Sequence, residues 1–354
     1  PPPPLGILSG VVSAAAVVIV ALTFGLNTPA RAARNRLTQA IASMEGVHSI
    51  RIELRIRTSE QENFDFTDPN LEFVPHTLEA IYTPQFLWRV EKPGRKALYD
   101  GELTYLWYDS LNDGLIRPYS PDAIGMLHLL IAPNQLLELE RQLTKTHNGV
   151  RYELRREAEV LYLKVISPAQ GDFSQSDYMR NTSILESNTR REYRFDSENG
   201  RLQGARITFL DGDQERTLLE IDRIEYDAPI DAATLTALPE GIAWERPAQV
   251  LPSGRLTGIN AKEAAQRILG AFSTWNAEIL DEALRSYGAH AREILKNRYS
   301  GATVEHLSEP VRSGKYPGWF IPCTLQMADG SREKIRLALR NDTPDKSWAI
   351  DGGL

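Results

Sequence analysis

Cysteine is almost missing from this chain: Cys323 is the only one among 354 residues, so no intrachain disulfide can form. That alone does not decide the compartment, because envelope proteins can lack disulfides. Metal-binding patterns are missing too. The six histidines, His48, His76, His128, His147, His290 and His306, include no i, i+4 pair and no HExxH. Asp211-Gly212-Asp213 supplies too few oxygens for calcium and reads as a turn. No GxSxG, Walker A or GxGxxG pattern occurs, so nucleophile-elbow, phosphate-loop and dinucleotide chemistry lack their usual support. No cofactor, metal or catalytic residue is expected. A basic surplus is also lacking. The net charge is −7, and from Ile259 onward 13 basic residues face 12 acidic ones, which leaves −8 for residues 1–258. No nucleic-acid partner is expected from that balance.

One absence has the largest consequence. Residues 5–26 contain no charged side chain. As a helix this run reaches about 33 Å, enough to cross a hydrocarbon layer of roughly 30 Å. Ala30-Arg31-Ala32 offers a signal-cleavage pattern, but a signal's apolar core is about 7–15 residues, so a retained transmembrane helix is the expectation. Residues 1–4, all proline, read as an extended linker from an upstream region. Arg31, Arg34 and Arg36 come after the run. The positive-inside rule would keep them cytoplasmic, yet it weakens for large translocated domains, so the residues alone leave the orientation open.

The chain as a whole has ordinary globular composition, 42% hydrophobic and 25% charged, and beyond the apolar run it is long enough for two cores. Leu37, Ile41 and Met44 lie on one side of a short helix that Gly46 stops. Ile50, Ile52, Leu54 and Ile56 then alternate with Arg51, Glu53, Arg55 and Arg57, a strand with one dry face. Strands are expected at 78–82, 86–91, 97–99, 103–108, 151–154, 160–166, 191–195, 203–210 and 217–226. Asp100-Gly101, Asn199-Gly200 and Asp211-Gly212 mark turns between them. Residues 121–145 carry a helical pattern broken at Pro133, while 172–188 is a polar excursion. Residues 244–258 read as a linker. Beyond it, 259–354 opens with three helical patterns and closes with strands near 303–307, 320–327, 333–339 and 348–350.

Phe86, Trp88 and Val90 share one strand face, as do Leu103, Tyr105 and Trp107 on a neighbour. These are either sheet core or the wall of a pocket. Cys323 has no adjacent basic group and reads as buried and inert. Glu305 with His306, or Tyr287 with His290, is the weaker suggestion of an acid–base pair in the second domain.

Pro84-Gln85-Phe86-Leu87-Trp88-Arg89-Val90-Glu91-Lys92-Pro93, followed by Leu98-Tyr99-Asp100-Gly101 and Leu103-Thr104-Tyr105-Leu106-Trp107-Tyr108-Asp109, resembles the outer-membrane lipoprotein carrier family (LolA/LolB-like, including RseB-like sensors). Ile224-Glu225-Tyr226-Asp227-Ala228-Pro229-Ile230-Asp231 and Leu238-Pro239-Glu240-Gly241 extend the likeness, over about 37–243. The closing Trp348-Ala349-Ile350-Asp351-Gly352-Gly353-Leu354 resembles the last strands of NTF2-like (SnoaL-like, cystatin-like) domains. Together these imply an α+β protein: a transmembrane helix at 5–26, a curved antiparallel half-barrel with covering helices at 37–243, and an NTF2-like cone at 259–354. The first resemblance implies an apolar cavity for acyl chains, lipid or lipoprotein, lined by Phe86, Trp88, Val90, Leu103, Tyr105, Trp107, Leu127 and Ile131. Taken with the apolar run at 5–26, which a freely diffusing carrier would lack, it leads to the expectation of a single-pass protein of the cell membrane with periplasmic soluble domains and an envelope or regulatory protein partner. Held by its anchor, such a fold would sense or regulate in an anti-sigma-like way rather than shuttle. The rival expectation is a protein–protein scaffold without a pocket.

Overall fold

The computed structural model describes residues 28–57, 72–109, 112–119, 126–146, 149–169, 188–246, 254–312, 318–342 and 345–354. The expected membrane helix at 5–26, the prolines and most of the polar excursion lie outside them. Among the described residues no helix is long and apolar enough to cross a membrane.

Helix α1 (Pro29–Ala42) begins earlier than the apolar spacing suggests. Proline at its first position and the Thr28 hydroxyl, which accepts from the Arg31 amide at 3.3 Å, start it there. Ala33, Leu37 and Ala40 form its buried stripe. Arg34 and Arg36 are drawn into the fold. The Arg34 Nε–H donates to Thr144 Oγ1 at 3.0 Å, and an Arg36 Nη2–H donates to the Asp196 carbonyl at 2.9 Å while its guanidinium lies over Phe195.

An antiparallel meander comes next: β1 (Ser49–Arg57), β2 (Phe73–Ile81), β3 (Leu87–Lys92), β4 (Arg95–Tyr99), β5 (Leu103–Tyr108) and β6 (Asp113–Pro118). Two helices, α2 (Met126–Ile131) and α3 (Pro133–Thr146), break where the sequence places Pro133. A second meander runs β7 (Arg151–Glu157), β8 (Val160–Ser167), β9 (Thr189–Asp196), β10 (Leu202–Asp211) and β11 (Gln214–Tyr226). Strand β11 returns to pair with β1, so both meanders fuse into one sheet. With α4 (Ala232–Leu235) and β12 (Ala243–Glu245), the order becomes β12-β6-β5-β4-β3-β2-β1-β11-β10-β9-β8-β7. Only β12 joins in parallel.

Laid flat, twelve strands would span about 50 Å, more than twice the length of a 14-residue helix. Yet buried residues of β2, β3, β8 and β9 share one core with α1 and α3. The sheet is therefore curved, with bulges between Glu53 and Leu54 and between Ile207 and Thr208 adding bend. A large curved sheet with few helices is the mixed α+β arrangement expected of a half-barrel.

Strand β6 escapes the sequence pattern because Gly114 and Pro118 interrupt it. Gly114 is needed there, since a Cβ would sit 2.5 Å from the Trp244 ring. Residues 243–245, at the start of the expected linker, form β12 on this edge, and Leu256 near the linker's end is buried in the second core.

The C-terminal part has α5 (Ala261–Phe272), α6 (Ala277–Ala283) and α7 (Ala289–Tyr299), then β13 (Thr303–Leu307), β14 (Trp319–Gln326), β15 (Arg332–Arg340) and β16 (Ala349–Gly352) in a sheet of that order. Ile268, Leu269 and Phe272 pack against Ile321, Leu325, Leu337 and Ile350. The connection between α6 and α7 meets the large sheet at β6 and β12. Gly288 carries no side chain because Leu115 occupies the space, and Glu245 accepts from the Ala289 amide at 2.7 Å, capping α7 from the other part of the chain.

Cys323 lies within this second core, where burial pushes its thiol up to about 12. Iodoacetamide at pH 8 should leave native protein unlabelled and alkylate it fully in guanidinium; rapid labelling of the native protein would contradict this burial.

Candidate functional site

The register sorts the sheet into two faces. Ile50, Ile52 and Leu54 on β1 pair with Ala80, Leu78 and His76 on β2, and these with Trp88 and Val90 on β3. Trp88 pairs with Tyr99, Tyr99 with Thr104, and Thr104 with Arg117. Directly paired residues share a face, so all of these lie on the side covered by α1–α3. The other face carries Arg51, Glu79, Arg89 and their partners in surface ion pairs such as Arg51–Glu79 at 2.7 Å. Such exposed pairs contribute about 0–1 kcal/mol each.

This register divides the eight residues expected to line one cavity. Trp88, Val90 and Ile131 are buried on the helix-covered face, and Phe86 and Leu127 pack half-buried against the same core. Leu103, Tyr105 and Trp107 point the other way, because each strand step reverses the face and Tyr105 pairs with Leu98, not Tyr99. Trp107 is buried beneath the Arg89 guanidinium and meets the Trp244 ring edge-on at 6.0 Å; Tyr105 meets it at 5.4 Å. The two aromatic groups form separate clusters.

Aromatic rings gather under α2. Tyr82 stacks on Phe86 at 6.1 Å, Tyr99 stacks on Tyr119 at 4.4 Å, and Trp88 lies 6.3 and 6.4 Å from Tyr99 and Tyr119. The Tyr82 hydroxyl donates to the Ile131 carbonyl at 2.6 Å, at the α2–α3 break, where the Gln135 N–H goes to the Ala132 carbonyl instead. His128 contacts the Tyr119 hydroxyl at 3.1 Å through Nδ1.

Packing along this face is uneven. From β8 to β3 it is dry and closed, with Leu163, Tyr193, Ile207, Ile52 and Trp88 at 0% exposure. Across β4–β6, Ala97, Tyr99, Thr104, Leu106 and Arg117 are only half-buried. This end of the face, from the aromatic group under α2 to β6, is therefore less closed than the rest, and β6 abuts the C-terminal part at Leu115 and Arg117. The chemistry of this end suits an alkyl chain.

Helix α3 is held to the sheet by a buried charge network. Arg191 and Glu140, 0% and 2% exposed at their side chains, form an ion pair through Nε and Nη2, the latter at 3.0 Å. An Arg191 Nη1–H donates to Ser167 Oγ at 2.8 Å and to Thr189, and the Tyr193 hydroxyl donates to Glu140. Burial alone would lower the Arg191 pKa; the adjacent carboxylate outweighs it and raises it. Burial and the same carboxylate hold the Tyr193 phenol well above its ordinary value. The sequence carries a signal for this group. Thr189, Arg191, Tyr193 and Phe195 alternate on one face, and Glu140 falls on the Leu136–Leu143 stripe, so each charge sits where an apolar residue belongs.

The suggested acid–base pair does not assemble on β13. Glu305 and His306 are exposed on this edge strand, with Glu305 bound to Arg332. The side chain of His290 lies outside the described residues.

Removing one member of the Glu140–Arg191 pair strands a buried charge. Glu140→Leu should cost about 3–5 kcal/mol in urea unfolding, and Glu140→Leu with Arg191→Met distinctly less. Equal losses in the single and double variants would refute the pairing.

No protein-family model matches the chain, and no curated protein matches it in sequence. Several solved structures are loosely similar. An uncharacterized conserved protein from Thermus thermophilus aligns over 61% of this chain and 99% of its own, with 14% identity and a TM-score of 0.35. LprF from Mycobacterium bovis aligns over 56% and 95%, with 12% identity and a TM-score of 0.33. The Pseudomonas aeruginosa MucA/MucB complex aligns over 89% and 90%, with 11% identity and a TM-score of 0.32.

Proposed function

We propose that this chain is a single-pass protein of the cell membrane, anchored by residues 5–26, whose periplasmic part binds a lipid, acyl chain or lipoprotein noncovalently and so senses or regulates. The observation that carries the reading is the change in packing along the helix-covered face. A core with no second role would close over β4–β6 as it does over β8 to β3, whereas Ala97, Tyr99 and Leu106 keep part of their surface exposed. Each methylene laid on such surface contributes about 0.8 kcal/mol, so six give roughly 5 kcal/mol with no polar contact. The aromatic rings under α2 suit the same occupant, being large, rigid and apolar. The C-terminal part, helices first and antiparallel sheet after, we read as an NTF2-like accessory cone without chemistry of its own. A regulatory protein partner is the further element of this reading.

A scaffold that binds only protein is the second reading. The half-exposed Leu103, Tyr105 and Trp244 on the opposite face favour it, since such aromatic clusters suit protein contacts.

Native mass spectrometry of the full chain released from membranes should show lipid or fatty-acid adducts. Leu106→Asp, at a half-buried position, should remove them while the circular dichroism spectrum is kept. A wild-type protein free of adducts, or adducts that survive this substitution, would sink the acyl reading in favour of the scaffold.

A further inference from the structure

At the β6 end of the less closed half stands a half-buried cation that has no counter-charge among the described residues. Arg117 sits on the helix-covered face of β6, directly paired with Thr104, and its guanidinium makes no ion pair with a carboxylate among the described residues. One Nη2–H donates to the Ser286 carbonyl of the C-terminal part. The Nε–H is buried and has no partner among the described residues; neither has the Thr104 hydroxyl beside it. Trp88 lies three strands away, about 14 Å along the same register row, and its indole N–H is also buried and unpartnered.

Buried polar groups are nearly always satisfied, and leaving one unpaired costs about 1–3 kcal/mol. A partly desolvated guanidinium whose partner among the described residues is a neutral carbonyl is a poorer arrangement still, because the carbonyl does not offset its charge. Burial accordingly lowers the Arg117 pKa, and among the described residues Tyr108 and Tyr287 act against this. Arg191, on the same face, shows the contrast, with all three of its nitrogens hydrogen-bonded and a carboxylate at hand.

We propose that Arg117 and Thr104 bind the oxyanion head of an acyl ligand, a carboxylate or a phosphate, while its chain lies back along Ala97, Leu106 and Tyr99. A planar guanidinium edge beside a hydroxyl matches the geometry of either anion. Since Arg117 also holds the Ser286 carbonyl, the head would sit where the two parts of the chain meet. This inference rests on the acyl reading and goes beyond it by naming the charge of the ligand.

The test uses the full chain in phosphatidylcholine nanodiscs, with empty discs as background, and three radiolabelled probes: palmitate, lysophosphatidic acid and the neutral 1-monopalmitoyl glycerol. Arg117→Gln should weaken at least one of the two anions tenfold or more and leave the glycerol ester within twofold. Thr104→Val, which leaves the Ser286 contact intact, should weaken the same anion severalfold. The anion bound more tightly by the wild type identifies the head as carboxylate or phosphate. Equal binding of all three probes, unchanged in both variants, would overturn the anchor and leave the acyl reading standing. A loss common to all three in Arg117→Gln, with none in Thr104→Val, would assign Arg117 to holding the C-terminal part and overturn it as well. Binding of none of the probes would defeat the acyl reading and the anchor together.

Discussion

The Glu140–Arg191 contact is the constraint around which the rest of the large sheet is arranged. A sheet with one apolar face must curl or be covered, and here it does both. Helix α3 is fixed over β9 because its buried carboxylate Glu140 meets the guanidinium that the covered face of β9 presents. Hydrophobic burial would accept α3 in many registers. A charge pair at near-zero exposure accepts very few, since any slip leaves two ions unpaired in a dry interior. With α3 placed, α1 packs beside it and α2 is carried across to β2 and β3 by the short link at Pro133.

That arrangement distributes solvent access along the sheet. The side under α1 and α3 is closed, and the side between α2 and the C-terminal part is not. One continuous face is therefore fully buried in one half and only half-buried in the other, where Thr104 and Arg117 join the apolar residues. The open half also borders the contact made by Leu115, Arg117 and Glu245 with Gly288, Ser286 and Ala289. Under the proposed acyl reading, a ligand there would touch the strands that support the C-terminal part, and its occupancy would have a physical route to the second half of the chain.

The first helix shows how tertiary structure reassigns residues. Read along the chain, Arg34 and Arg36 are the charged flank of an apolar run. Folded, Arg36 lies over Phe195 and Arg34 reaches Thr144, so both belong to the packing of α1 against the sheet. Their charge reports first on the fold rather than on membrane orientation.

Much of the architecture is legible in the sequence, because period two and period 3.6 are local properties: the alternation of 50–57, the break at Pro133 and the helices-then-strands order after residue 259 all derive from them. Strand β6 is not legible, since Gly114 makes sense only once Trp244 is known to lie against it. The candidate site shows the same division. Phe86, Trp88 and Val90 stand out as one apolar row, but their relation to Leu103, Tyr105 and Trp107 depends on which residue of β5 faces which residue of β4. The Tyr99–Thr104 pairing settles that against a common wall. Composition determined what this chain can do without, namely disulfides, and it supplied an apolar run long enough to span a membrane. Only the tertiary structure decided which aromatic residues share a face, and that Arg117 has no counter-charge among the described residues, because register and charge pairing join residues far apart in the chain.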